Sequence, residues 1–186
     1  MGSEKLVDVE TDNKKSRALE TAYEPCRDAA LEEFPWGFAK RFLTLSYDAT
    51  YSPDHTYDYQ YLLPADYLAL VRVSTDLPYE EIATVAASGS SPSVTSIGTN
   101  DAGPLDVTYI SKIENEAVFS PLFAELLAHR LAMACVEEIT QSNTKKADVA
   151  EALKLIERKA KLASSKRRTP ESMRSGSWFE SGGFSE

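Results

Sequence analysis

The chain has 186 residues, 42% of them apolar and 26% charged, which is the composition of one globular domain with room for a sizeable core. Its net charge of −9 speaks against a general nucleic-acid binder, which needs surplus Lys and Arg to neutralise phosphates. No apolar run reaches the length of a membrane span, and the first residues show no apolar signal-peptide core.

Residues 1–11 are polar and acidic without a period and read as a frayed terminus. Met1-Gly2 is followed by Leu6 where a myristoylation motif requires Ser or Thr. Asp12 or Asn13 can cap a helix over about 12–34, with Leu19, Tyr23, Cys26, Ala30 and Phe34 on one face. Pro25 inside that pattern predicts a kink or a split. Phe34-Pro35-Trp36 ends the helix, because Pro35 disfavours helical backbone at Phe34.

Residues 40–47 read as a strand, with Phe42 and Thr44 on one face and Leu43, Leu45 and Tyr47 on the other. After a loop containing Pro53, Tyr57, Tyr59 and Tyr61 alternate as a half-buried strand does. Pro64-Ala65-Asp66 ends it, and 67–74 forms the next strand. The Ser-, Thr- and Gly-rich stretch 76–104 reads as a β-hairpin around the tip 88–92, with strand pieces at 82–86 and 94–97. Residues 105–113 return to strand.

Asn115 or Glu116 begins a helix to about residue 139, with Phe119, Leu122, Phe123, Leu126, Leu127, Leu131 and Cys135 on a broad apolar face and Pro121 in the first turn. After a connector at 140–144, Val149, Leu153, Ile156, Ala160 and Ala163 give a final helix over 144–164, antiparallel to its neighbour. Beyond Ser164 the period stops. Residues 165–186 are Ser, Gly, Arg and Glu with Trp178, Phe179 and Phe184 embedded among them, and they read as a mobile arm.

Little in the chain promises catalysis. His55 and His129 have no partner at metal-ligand spacing, and Cys26 and Cys135 read as small buried hydrophobes. No nucleophile elbow surrounds the serines of 88–93, and Gly89, Gly98 and Gly103 fit no phosphate loop. The carboxylate pairs Glu32/Glu33, Glu80/Glu81 and Glu137/Glu138 read as solvated surface rather than as a glycosidase pair. The Tyr57/Tyr59/Tyr61 ladder, without neighbouring Lys or Arg, reads as cover for a helix face and not as a base-stacking platform. Cationic residues, by contrast, crowd the C-terminal segment: Lys154, Arg158, Lys159, Lys161, Lys166, Arg167, Arg168 and Arg174. That asymmetry marks a docking surface or a solvated helix.

Three segments carry a resemblance. The first is the corner Pro35-Trp36-Gly37-Phe38-Ala39, and the second is Tyr59-Gln60-Tyr61 leading to Leu63-Pro64-Ala65-Asp66. The third is Tyr109-Ile110 followed by Phe119-Ser120-Pro121-Leu122-Phe123. In this order and at these distances they resemble the head-to-tail adaptor proteins of short-tailed bacteriophages, over roughly residues 15–165. Gly37 stands where many members of that family have Asn. Thr169-Pro170 and Ser177-Trp178 resemble the end of such chains, where the arm reaches the portal.

The resemblance implies a structural virion protein at the head–tail junction, assembled in the host cytoplasm. Twelve copies would form a ring between the portal protein and the tail nozzle or tube. Double-stranded DNA would pass through the channel without sequence-specific binding, and no membrane, cofactor, metal or enzymatic activity is implied. The fold expected is α+β, a helical bundle core of long antiparallel helices carrying a β-rich excursion over about 40–113. Residues 1–164 would be the adaptor domain and 165–186 a docking arm. Lys166, Arg167, Arg168, Trp178, Phe179 and Phe184 are expected to meet the portal or a neighbouring subunit. Pro35, Trp36, Phe38, Pro64 and Asp66 are expected to be structural. The alternatives are a tail-associated cell-wall hydrolase using a carboxylate pair, and another ring component such as a stopper or tail-completion protein.

Overall fold

The elements follow the changes of period along the chain. Helix α1 (Lys14–Glu32) leads into strand β1 (Lys40–Leu45), β2 (Tyr59–Leu62), β3 (Tyr67–Val73), β4 (Tyr79–Thr84), β5 (Val94–Thr99) and β6 (Leu105–Ser111), and helices α2 (Pro121–Thr140) and α3 (Asn143–Lys166) close the chain. The computed structural model describes residues 14–47, 56–84, 94–140 and 143–167. The N-terminal stretch, the Pro53 loop with His55, the hairpin tip 88–92 and the arm beyond Arg167 lie outside the described residues.

The strands form two three-stranded antiparallel sheets. One has the order β1-β6-β3 and the other β2-β5-β4. Strand β6 pairs on both sides, Phe42 opposite Thr108 in β1 and Leu70 opposite Tyr109 in β3. The hairpin expected around 88–92 forms with β4 and β5 in register, Tyr79 opposite Thr99 and Thr84 opposite Val94.

Strand β6 also explains the layering. Its alternate residues Leu105, Val107 and Tyr109 join Leu45, Tyr61, Leu63, Val73 and Ile97 in a cluster built only from the β region. Ile110, on its other face, joins Leu31, Trp36, Phe123, Leu126, Ile156 and Ala160 in a second cluster shared with the helices. The first sheet therefore lies between the helices and the second sheet.

This arrangement corrects the expectation of a long-helix bundle core with a β excursion: three helices pack beside two antiparallel sheets, and the core is divided between them. At about 2 kcal/mol for each buried aliphatic side chain, Leu45, Leu63, Val73, Ile97, Leu105 and Val107 contribute on the order of 10 kcal/mol of gross burial energy. A β region holding that much apolar surface is a core in its own right.

Other local expectations need correction for identifiable reasons. Pro25 does not split α1, which runs unbroken past it. Pro25 and Thr21 are both exposed, so water reaches the carbonyl that loses its donor. The helix expected from residue 115 begins at Pro121, after a 3₁₀ turn over Glu116–Val118 capped by Asn115. Ser120 caps α2, its Oγ accepting from the Phe123 N–H at 3.3 Å, and Pro121 fills the first helical position where no donor is missed. The tyrosine ladder covers no helix. Tyr61 is 0% exposed between the two sheets, and its hydroxyl donates to the carbonyls of Asp101 and Gly103 at 2.6 and 2.7 Å.

Helices α2 and α3 are antiparallel, as their short connection requires. Pro121 and Leu122 share a groove with Ala160 and Ala163, while Cys135 and Val136 share another with Asp148 and Val149. Glu33, just beyond α1, binds Arg130 of α2 and Lys161 of α3, the latter at 2.6 Å, and so joins all three helices. None of the described helices is long and apolar enough to cross a membrane.

Candidate functional site

The corner Pro35–Ala39 is held from inside. The Trp36 amide donates to the Phe34 carbonyl at 2.7 Å, and the Ala39 amide donates to the Trp36 carbonyl at 3.1 Å. The Trp36 indole N–H reaches the Ala30 carbonyl at 2.8 Å and so satisfies a group at the end of α1 that has no intrahelical donor. Around that ring stand Phe34 at 5.0 Å and Phe123 at 5.1 Å, both edge-on, with Phe38 stacked at 6.3 Å. Phe119 completes the set against Phe38 and Phe123. Edge-on contacts suit the charge distribution of aromatic rings and lock their mutual angles.

Asp66 holds the second segment to the third. Its Oδ2 accepts from the Ser111 hydroxyl at 2.6 Å, and its Oδ1 accepts from the Tyr109 hydroxyl at 3.2 Å. Its backbone carbonyl takes the Lys112 amide at 2.6 Å, and the Pro64 carbonyl takes the Tyr67 amide at 3.0 Å. Burial, with the Asp66 carboxylate beside it, pushes the Tyr109 hydroxyl above its ordinary pKa and keeps it a donor. The Ser111 amide meanwhile donates to the Ala39 carbonyl at 2.9 Å. Through β6 the corner and the Asp66 turn become one body.

Beside this body lies a groove of about 410 Å³, walled by Trp36, Gly37 and Phe38, by Val118, Pro121 and Leu122, and by Ala160, Ala163 and Arg167 on α3. The small side chains of Ala160 and Ala163 open it, and Arg167 stands at one end. Lys166 and Arg167 are both exposed there. Helix α3 runs two residues further than the period suggests, and the Arg167 amide caps it on the Ser164 carbonyl at 3.2 Å. The root of the expected arm thus lines the same groove as the aromatic corner, a proximity that spacing in the sequence does not reveal. Arg168, Trp178, Phe179 and Phe184 lie outside the described residues.

One member of each of the two described carboxylate pairs is engaged in a structural contact. Glu33 binds Arg130 and Lys161, and Glu81 accepts from the Tyr67 hydroxyl. The side chains of Glu137 and Glu138 lie outside the described residues. No group of three His, Cys, Asp or Glu side chains capable of holding a metal is present among the described residues. Cys26 and Cys135 are not in a disulfide, the Cys135 Sγ donates to the Ala18 carbonyl at 3.6 Å, and burial pushes the Cys26 thiol above its usual pKa. His129 Nδ1 lies 2.9 Å from the Glu125 carbonyl on its own helix.

Sequence reasoning missed the exposure of β1. Arg41, Phe42, Leu43 and Thr44 are all exposed, which the assignment of Phe42 and Leu43 to opposite faces of a strand did not reveal. No protein-family model and no curated protein matches this chain.

Proposed function

We propose that the chain is the subunit of a head-to-tail adaptor ring of a short-tailed bacteriophage, a structural protein that joins the portal to the tail nozzle or tube. One observation carries this reading. The three separated segments that resemble the adaptor family meet in one packed unit, with Ala39 bonded to Ser111, Asp66 to Ser111 and Tyr109, and Phe38 against Phe123 at 5.1 Å. Residues with a joint structural task are the ones expected to recur together along a chain.

The charge supports the same reading. A net charge of −9 suits a channel that must repel the phosphates of passing DNA. Lys166 and Arg167 at the arm root offer a basic patch to an acidic neighbour. The ring holds twelve copies, in keeping with the family resembled. In this reading the subunit works by shape and charge and needs no cofactor.

The test is genetic. Phage particles assembled without this chain should package DNA, fail to acquire tails and lose the genome through the portal. Tailed particles that retain DNA in its absence would overturn the proposal. Loss of peptidoglycan cleavage on changing one glutamate, with assembly intact, would instead identify a hydrolase.

A further inference from the structure

Two exposed sheet edges differ sharply in charge and lie on opposite flanks. Among the described strands β1 is the outer one of its sheet and pairs with β6. It presents Arg41, Phe42 and Leu43 to solvent, Phe42 at 80% exposure. Among the described residues the Arg41 guanidinium donates to the Phe38 and Lys40 carbonyls of its own corner, at 3.2 and 3.0 Å, neither of which neutralises its charge, so it can still meet a carboxylate. Among the described strands β4 is the outer one of the other sheet and pairs with β5 through six consecutive residue pairs. It presents Tyr79, Glu80 and Glu81, preceded by the exposed Leu77.

Two contacts fix where these edges lie. Tyr47, just after β1, packs on Tyr59 of β2 with ring centres 5.4 Å apart, so β1 and β2 share one flank. The Tyr67 hydroxyl of β3 donates to Glu81 of β4, so β3 and β4 share the other. A ring of identical subunits needs two different surfaces that face away from each other and complement one another. The β1 and β4 edges meet that requirement. The β3 edge is a poorer candidate, since it carries Arg72 and two register shifts that break regular pairing.

We propose that the β1 edge of one copy docks on the β4 edge of the next, with Arg41 facing Glu80 on one face of the joined sheet and Phe42 covering Leu77 and Tyr79 on the other. Edge strands offer unpaired N–H and C=O groups that a second strand can take up. Charges on such an edge ordinarily keep other chains away, but Phe42 beside Arg41 offers apolar area to a partner carrying carboxylates. Glu81 already accepts from Tyr67, which leaves Glu80 to meet the arginine.

This inference rests on the ring reading and adds the identity of the subunit interface. The test uses Arg41→Glu and Glu80→Lys in the full chain, followed by sedimentation with portal present. Each variant alone should lose the ring, because like charges then meet at every contact. Mixed in equal amounts they should regain it, alternating around the ring, and the double exchange in a single chain should regain it too. Phe42→Asp should lose it irrespective of salt. Should Arg41→Glu lower the melting temperature, Glu80→Lys alone decides the matter. Wild-type protein that stays monomeric with portal overturns both the ring and this interface. A ring that forms normally from Arg41→Glu or Glu80→Lys, or variants not rescued by mixing, overturns the interface and leaves the ring standing.

Discussion

Replacing Trp36 by alanine should damage folding before it damages assembly. The ring is 1% exposed and touches Phe34, Phe38 and Phe123, and its N–H is the donor for the Ala30 carbonyl. Truncating a buried Trp costs about 3–5 kcal/mol. The site should fall in the upper part of that range, because the rings around it are held edge-on and cannot easily collapse into the space. For a chain of this size each kcal/mol moves the melting temperature by roughly 2–4 °C, so a drop of about 10–15 °C is expected. Trp36→Phe separates packing from hydrogen bonding. It keeps most of the apolar volume and leaves the Ala30 carbonyl without its donor, at a cost of about 1–3 kcal/mol. Circular dichroism melts with urea titration at constant m-value read both. An unchanged melting temperature in Trp36→Ala, with portal binding lost, would place the ring on an interface and refute this reasoning.

Asp66→Ala should destabilise by about 2–3 kcal/mol, since the Ser111 and Tyr109 hydroxyls lose a charged acceptor, and a urea midpoint equal to wild type would contradict it. The Gly103 amide and then the Thr75 hydroxyl hold the Asp101 carboxyl below its ordinary pKa. The folded state thus favours the ionised form, and this contribution is present above about pH 4 and lost as pH falls through the depressed folded value. Thr75→Ala should lessen that acid loss, and identical pH–stability curves for variant and wild type would argue otherwise. Deleting residues 168–186 should leave the melting temperature unchanged and weaken portal attachment, with Trp178→Ala reproducing much of the loss. Equal portal affinity at one ionic strength, with and without the segment, would remove the arm from the account.

The elements were largely legible in the sequence because period and punctuation agree. The change from helical to alternating pattern at Phe34-Pro35, and the turn at Pro64-Ala65-Asp66, fall where the structure changes direction. The layering was not legible. Alternation along β6 says that Leu105, Val107 and Tyr109 share a covered face, but not that a second sheet covers it or that helices cover Ile110 on the other. Tyr61 belongs to that second sheet and is buried against the first for a reason that only long-range pairing supplies. Conversely, β1 alternates as a core strand does, yet Arg41 to Thr44 are exposed and Leu45 is buried, since nothing local says that the strand ends up outermost. The aromatic corner could be read from Trp36 and Phe38. Its neighbours Ala160, Ala163 and Arg167 could not, because they lie more than a hundred residues away and only tertiary packing brings them there. The start of α2 could have been found from Ser120-Pro121, a capping residue followed by the proline that suits a first helical position.

A ring at the portal has a defined mass, and weighing the assembled species decides whether it forms. Native mass spectrometry of the purified chain, alone and mixed with its portal protein, should give a closed oligomer of twelve subunits, either at once or when portal is added. A chain that remains a monomer of 20.5 kDa at high concentration, and still does so beside portal, would contradict it.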